Sequence, residues 1–186
     1  MPGKPIDECP RFSPDALYAL RRKRKLSREG LGNRINQSRQ TIRRWETGEN
    51  SPTARHLRAL SHVLRVLPAE LLYPTLGEPT LADLRMDRAL TVADLAVRSA
   101  TNLDRLLLWE HTGRLGTDDE RPLLLATFLG ISRCSVEQYI LTGVVPEAIT
   151  YRLARVLHVK PAAVQAAFDR TAALHDTEAD ELREAS

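Results

Sequence analysis

Cysteine is scarce in this chain of 186 residues: Cys9 and Cys134 are the two, far apart. That spacing excludes a disulfide framework and a thiolate zinc site, and makes a cytoplasmic location the expectation. Aromatic residues make up only 5% of the chain and β-branched runs are few, while Leu, Ala and Arg dominate. A sheet-based fold is thereby disfavoured and an all-α chain is expected. No apolar run approaches the roughly 20 residues of a membrane span. The start, Met1-Pro2-Gly3-Lys4-Pro5, lacks the apolar stretch of a secretory signal. No membrane partner is expected. Catalytic signatures are missing too: there is no nucleophile paired with a base, no phosphate-binding glycine loop and no metal-ligand spacing. His56, His62, His111, His158 and His175 are scattered. No enzymatic activity, metal or cofactor is therefore expected. His62 and His158 lie on helices beside core positions and read as packing residues. Cys134 reads as a small buried or half-buried residue rather than a redox sensor.

What the chain does have is charge, unevenly placed. The net charge of +3 divides into +8 over residues 1–73 and −5 over residues 74–186. A basic first third followed by an acidic remainder suggests that only the first third faces a polyanion.

Helix signals recur along that basic third. Residues 1–12 carry Pro, Gly and charge without periodicity and are expected to be a flexible arm. Ser13-Pro14-Asp15 opens a helix running to about Lys25, with Leu17 and Leu20 inward. Ser27 caps a short second helix that buries Leu31, and Ser38 caps a third that ends near Gly48. A fourth helix, from about Thr53 to Val66, is expected to bury Leu57, Leu60, Val63, Leu64 and Leu67. Pro68 opens a fifth that ends near Tyr73. Residues 13–73 thus read as one compact five-helix domain, with 74–79 as a linker.

The segment Leu26-Ser27-Arg28-Glu29-Gly30-Leu31, followed by Ser38-Arg39-Gln40-Thr41-Ile42-Arg43-Arg44-Trp45-Glu46-Thr47-Gly48, has a physical logic. A helix can lie in the DNA major groove if something holds it there. Ile42 and Trp45, three residues apart, fix the third helix to the core. Arg39, Gln40, Arg43, Arg44 and Thr47 then share its outward face. The same residues closely resemble the phage-repressor and Cro-like helix-turn-helix family of bacterial type, also called after the xenobiotic response element. The resemblance implies a DNA-binding function. It implies that the first two positions of the third helix and the one before the Trp touch bases, here Arg39, Gln40 and Arg44. Bidentate Arg suits guanine and bidentate Gln suits adenine. Phosphate contacts are expected from Ser27, Arg28, Gln37, Ser38, Arg43, Asn50 and Ser51. Glu49 opposes a phosphate, so its side chain is expected to point away. The family's helix 1 Arg and helix 3 Glu carry over to Arg21 and Glu46, read either as a structural pair or as a means of aiming Arg21 at a phosphate. The departure from pattern is Asn36, where the family often has Gly; Asn tolerates the left-handed turn best among the other residues. The alternative for Arg43 and Arg44 is an ordinary solvated face.

Shifted by 64 residues the pattern returns. Leu17, Leu20, Arg21, Leu26, Leu31, Ile35, Trp45 and Glu46 become Leu81, Leu84, Arg85, Leu90, Leu95, Ser99, Trp109 and Glu110. The expected architecture is therefore all-α, with tandem five-helix repressor-like helix-turn-helix domains and a C-terminal helical extension. The second, degenerate domain spans 80–140, C-terminal helices span 141–175, and 176–186 is an acidic tail expected to be disordered. At the base-reading positions the second domain has Leu103, Asp104 and Leu108, which are poor groove ligands. Leu103, Leu106 and Leu107 are instead candidates for a protein interface, most simply a homodimer; packing against the chain's own C-terminal helices is the equal alternative. A third, weaker echo around Ser132 would turn Arg133, Cys134 and Gln138 outward.

The expected partner is double-stranded DNA, with residues 80–175 available for dimerisation, the transcription machinery or another protein. The leading function is a repressor-like transcriptional regulator located at the nucleoid. The alternatives are a plasmid, phage or telomere maintenance factor using the same helix, and an antitoxin-like protein-interaction module.

Overall fold

The computed structural model describes residues 9–116 and 120–184. It is all-α: among the described residues there are eleven α-helices and no named strand. They are α1 (Pro14–Lys23), α2 (Arg28–Arg34), α3 (Arg39–Glu46), α4 (Ala54–Leu64), α5 (Leu81–Met86), α6 (Val92–Arg98), α7 (Leu103–Thr112), α8 (Pro122–Leu129), α9 (Arg133–Thr142), α10 (Glu147–Leu157) and α11 (Pro161–Glu184), with a 3₁₀ turn at Pro68–Leu71. None of the described helices is long and apolar enough to cross a membrane. The chain forms two compact units. One gathers the chain up to Leu76 together with Arg85–Thr91; the other gathers Gly77–Leu84 and the chain from Val92 onward.

In the first unit the helix starts follow local chemistry. The Ser13, Ser27 and Ser38 hydroxyls accept from the N–H groups of Ala16, Gly30 and Thr41 at 3.2, 2.8 and 3.0 Å, so each satisfies a donor that has no partner inside its helix. Leu17, Leu31, Ile42, Leu57, Leu60, Leu64 and Leu71 are fully buried in one core. Arg65 adopts a left-handed φ of 53° and stops α4. Leu67 then caps the 3₁₀ turn in extended backbone and is 70% exposed, so it leaves the periodicity that predicts it buried. The fifth helix is this single turn, ending at Leu71 rather than near Tyr73.

The expected loose arm is corrected from residue 9 onward. Cys9 is fully buried and its N–H donates to the Pro52 carbonyl at 3.1 Å. Phe12 is buried and pairs with Leu72 in an isolated antiparallel bridge. Burial pushes the Cys9 thiol up to about 11. Residues 1–8 lie outside the described residues.

The second unit has its own core, with Leu95, Leu106, Trp109, Val136, Leu153, Leu157, Val164 and Phe168 almost fully buried. Trp109 packs its ring 5.6 Å from Phe168 and donates its indole N–H to the Leu115 carbonyl at 3.1 Å. Leu106 is therefore core and not interface; Leu103 is exposed and Leu107 half-buried. α11 runs through Glu184, so the acidic stretch from 176 is helical rather than disordered. Its Ala, Leu, Glu and Arg content has high helix propensity, and an Arg183–Asp180 pair lies along it. Residues 185–186 lie outside the described residues. His62, His158 and Cys134 are exposed, against the expectation of packing or burial; His158 caps α10 with a left-handed φ of 51°.

One turn geometry joins many of the described helices, with its left-handed residue at Lys25, Asn36, Arg65, Ala89, Ala100, Gly130 and His158; three of these turns precede α3, α7 and α9. In α2–α3, Asn36 has φ 54°, the Gln37 N–H donates to the Gly32 carbonyl at 2.9 Å, and Ser38 caps the next helix. In α6–α7 the same places are held by Ala100 (φ 50°), Thr101 to Ala96 at 2.9 Å, and Asn102. In α8–α9 they are held by Gly130 (φ 63°), Ile131 to Ala126 at 3.1 Å, and Ser132.

Candidate nucleic-acid interface

The candidate reading helix is α3. Ile42 and Trp45 are 0% and 4% exposed and pin it to the core; Arg39, Gln40, Arg43, Arg44 and Thr47 are all exposed. Three cations and an amide therefore stand on a helix whose orientation is fixed from beneath. The helix has no acidic residue in its first turn.

A buried carboxylate ties α3 to the first two helices. Glu46 accepts from Arg21 Nε at 2.5 Å and from Arg28 Nε at 2.6 Å, and its side chain is 1% exposed. Arg21 also donates to the Leu26 carbonyl at 2.7 Å and is itself buried. Arg21 and Glu46 thus form a structural pair. Arg28 is drawn into the same cluster, which orients it from the opening turn of α2. Beside it lies an open cleft of about 490 Å³ lined by Tyr18, Arg22, Ser27, Arg28, Glu29 and Arg39. Tyr18 and Arg22 are not among the expected interface residues, because the sequence marks α1 only by its inward Leu17 and Leu20.

Gln37 sits in the turn before α3 and is held from α4. Its amide nitrogen lies 3.2 Å from His56 Nε2, and His56 Nδ1 lies 2.9 Å from Thr53 Oγ1. With the amide as donor, Nε2 accepts and Nδ1 carries the proton. The His56 ring also packs 5.2 Å from Trp45. Burial, with help from the Arg55 charge, lowers the His56 pKa below its ordinary value. Above about pH 6.5 the ring is neutral both folded and unfolded, and the contact is intact. As pH falls through that value the unfolded chain takes up the proton first, so stability declines until the folded ring also protonates. Urea unfolding at pH 7.5 and 5.5 should show wild type losing stability on acidification, and His56→Gln losing less.

Glu49 departs from expectation. It does not point away from the reading face: its carboxylate accepts from Thr47 Oγ1 at 2.9 Å and lies 3.9 Å from Arg43 Nη2 and 4.0 Å from Arg44 Nε. Asn50 is exposed and donates its N–H to the Arg44 carbonyl at 3.4 Å; Ser51 is half-buried.

The helices of the second unit that follow turns of the same geometry carry other side chains. On α7, Leu103 and Asp104 are exposed and Leu108 is half-buried. Arg105 is engaged by Glu120 in a forked pair. On α9, Arg133 and Gln138 are exposed, with Cys134 on the same face, and Arg133 Nε donates to Glu137 at 2.7 Å.

A capped helix carrying Arg and Gln, set after a left-handed turn and anchored by Ile and Trp, is the arrangement of a DNA-binding helix-turn-helix domain. Residues 17–71 match the family model described as Helix-turn-helix, and this segment belongs to that phage-repressor and Cro-like family. A search of curated proteins gave no match, and a search of solved structures gave none.

Proposed function

We propose that the chain is a sequence-specific, repressor-like transcriptional regulator that reads the major groove with α3. The observation that carries this reading is the pairing of buried Ile42 and Trp45 with exposed Arg39, Gln40 and Arg44 on one short helix. Arg at the first and sixth positions and Gln at the second offer bidentate donors to guanine and adenine edges. Arg22, Arg28 and Arg39, which outnumber Glu29 in the cleft beside Tyr18 and Ser27, supply the cationic flank that positions a helix on phosphates. The recurrent turn supports a common scaffold for both units. In the second unit, α7 lacks the chemistry to read bases, since Asp104 repels phosphate and Leu103 has no donor.

Selection of bound duplexes from a random library, followed by titration, tests this. Arg39→Ala and Arg44→Ala should each weaken the best site by roughly 1–3 kcal/mol and relax preference at one base position. Variants that hold the selected site as tightly as wild type would sink the assignment.

A further inference from the structure

We infer that Glu49 is a specificity-setting residue: it orients Arg44 for a base edge and opposes binding that rests on phosphates alone. The inference rests on the reading of α3 proposed above. The loop after α3 is built to return this carboxylate to the helix. Gly48 takes a left-handed φ of 72°, and the Asn50 N–H closes back on the Arg44 carbonyl. Thr47 Oγ1 donates to Glu49 and also lies 3.2 Å from the Arg44 carbonyl, which fixes the carboxylate over the last turn of α3.

Stability does not account for the arrangement. The side chains of Arg43, Arg44 and Glu49 are 51%, 52% and 47% exposed, and exposed pairs at such distances contribute little to folding. The consequence falls on whatever approaches the two arginines. Non-specific DNA binding is nearly all phosphate contact, so a fixed negative charge beside Arg43 and Arg44 subtracts from it. A guanine edge takes two N–H donors from an arginine, a pair that its terminal nitrogens can supply. Glu49 approaches Arg44 at Nε, 4.0 Å away, and a carboxylate at that atom leaves the two terminal nitrogens as the donors for a base edge. Base reading is thus spared the competition that phosphate meets.

The test compares full-length wild type and Glu49→Gln on the best selected duplex and on an unrelated duplex of equal length, over a range of salt. Glu49→Gln should bind the unrelated duplex about three- to tenfold tighter, the scale of one unit charge removed at solvent-exposed range. Its salt dependence on that duplex should steepen by about one in slope. The ratio of selected-site to unrelated affinity should fall by at least the same factor, with the melting temperature unmoved. Thr47→Val keeps the carboxylate but removes its donor, and should shift the ratio the same way by less. An unchanged ratio and salt slope in Glu49→Gln, with wild-type sequence preference intact, overturns this inference alone. A wild-type protein that prefers no sequence overturns the reading of α3 and the inference with it.

Discussion

Glu46→Ala is expected to destabilise the first unit by roughly 3–5 kcal/mol, the range for breaking a buried ion pair by removing one partner. The Glu46 side chain is 1% exposed and that of Arg21 is 6% exposed. Without the carboxylate, Arg21 keeps its bond to the Leu26 carbonyl, but its Nε and Nη2 lose their acceptors on a side chain that is 6% exposed. The cost is therefore the stranded cation rather than the worth of the pair. A comparison makes the point measurable. Replacing both partners with apolar residues, as in Arg21→Met with Glu46→Leu, leaves no buried cation; the Leu26 carbonyl loses a donor and the part-exposed Arg28 an acceptor, so the double variant should be milder than Glu46→Ala alone without being neutral. Urea unfolding, with hydrogen exchange over residues 14–64 to assign the transition, reads both. A Glu46→Ala variant within about 1 kcal/mol of wild type would show that solvent reaches Arg21.

Much of this cluster is legible in the sequence because it depends on short-range rules. Ser13, Ser27 and Ser38 announce helix starts, the left-handed position falls on Asn36, and the spacing of Ile42 and Trp45 predicts their burial; each is settled within one or two turns of chain. The Arg21–Glu46 pair, 25 residues apart, is visible through family resemblance, but its meaning is not: only packing decides that both groups are buried. What escapes is decided by loops and by distant elements. Nothing local says that Glu49 turns back onto Arg43 and Arg44, since that follows from the left-handed Gly48 and the Asn50 N–H. His56 meets Gln37 across 19 residues and looks like one scattered histidine among five. Leu67 fits the apolar period of α4 and still escapes it, because the left-handed Arg65 ends the helix first. Leu106 and Leu103 illustrate the converse: both read as exposed leucines on a degenerate reading helix, yet three residues of helical rotation bury one and expose the other. The helical acidic end of α11 shows composition misleading where spacing and propensity favour order.

Trp45→Ala should destabilise the first unit by about 3–5 kcal/mol and remove DNA binding with it. Trp45 is 4% exposed, its ring packs against His56, and it is one of two side chains anchoring α3 from below. Truncation opens a cavity under the reading helix and removes the surface that fixes its rotation. The loss should therefore exceed that of any single exposed arginine and extend to every DNA sequence, selected or unrelated. Trp45→Phe separates the two contributions. It retains most of the buried ring, so folding and the preferred base pattern should persist at reduced stability. The chain's other tryptophan provides the control. Trp109→Ala removes an indole that is fully buried, that donates to the Leu115 carbonyl and that packs on Phe168, so a comparable loss is expected within the second unit. If α3 carries the reading, the Trp109 variant keeps its base preference on the selected duplex while the Trp45 variant has none. Region-resolved hydrogen exchange and duplex titration on both proteins decide it. A Trp109→Ala protein that loses base preference while residues 14–64 stay protected would place the reading surface outside α3.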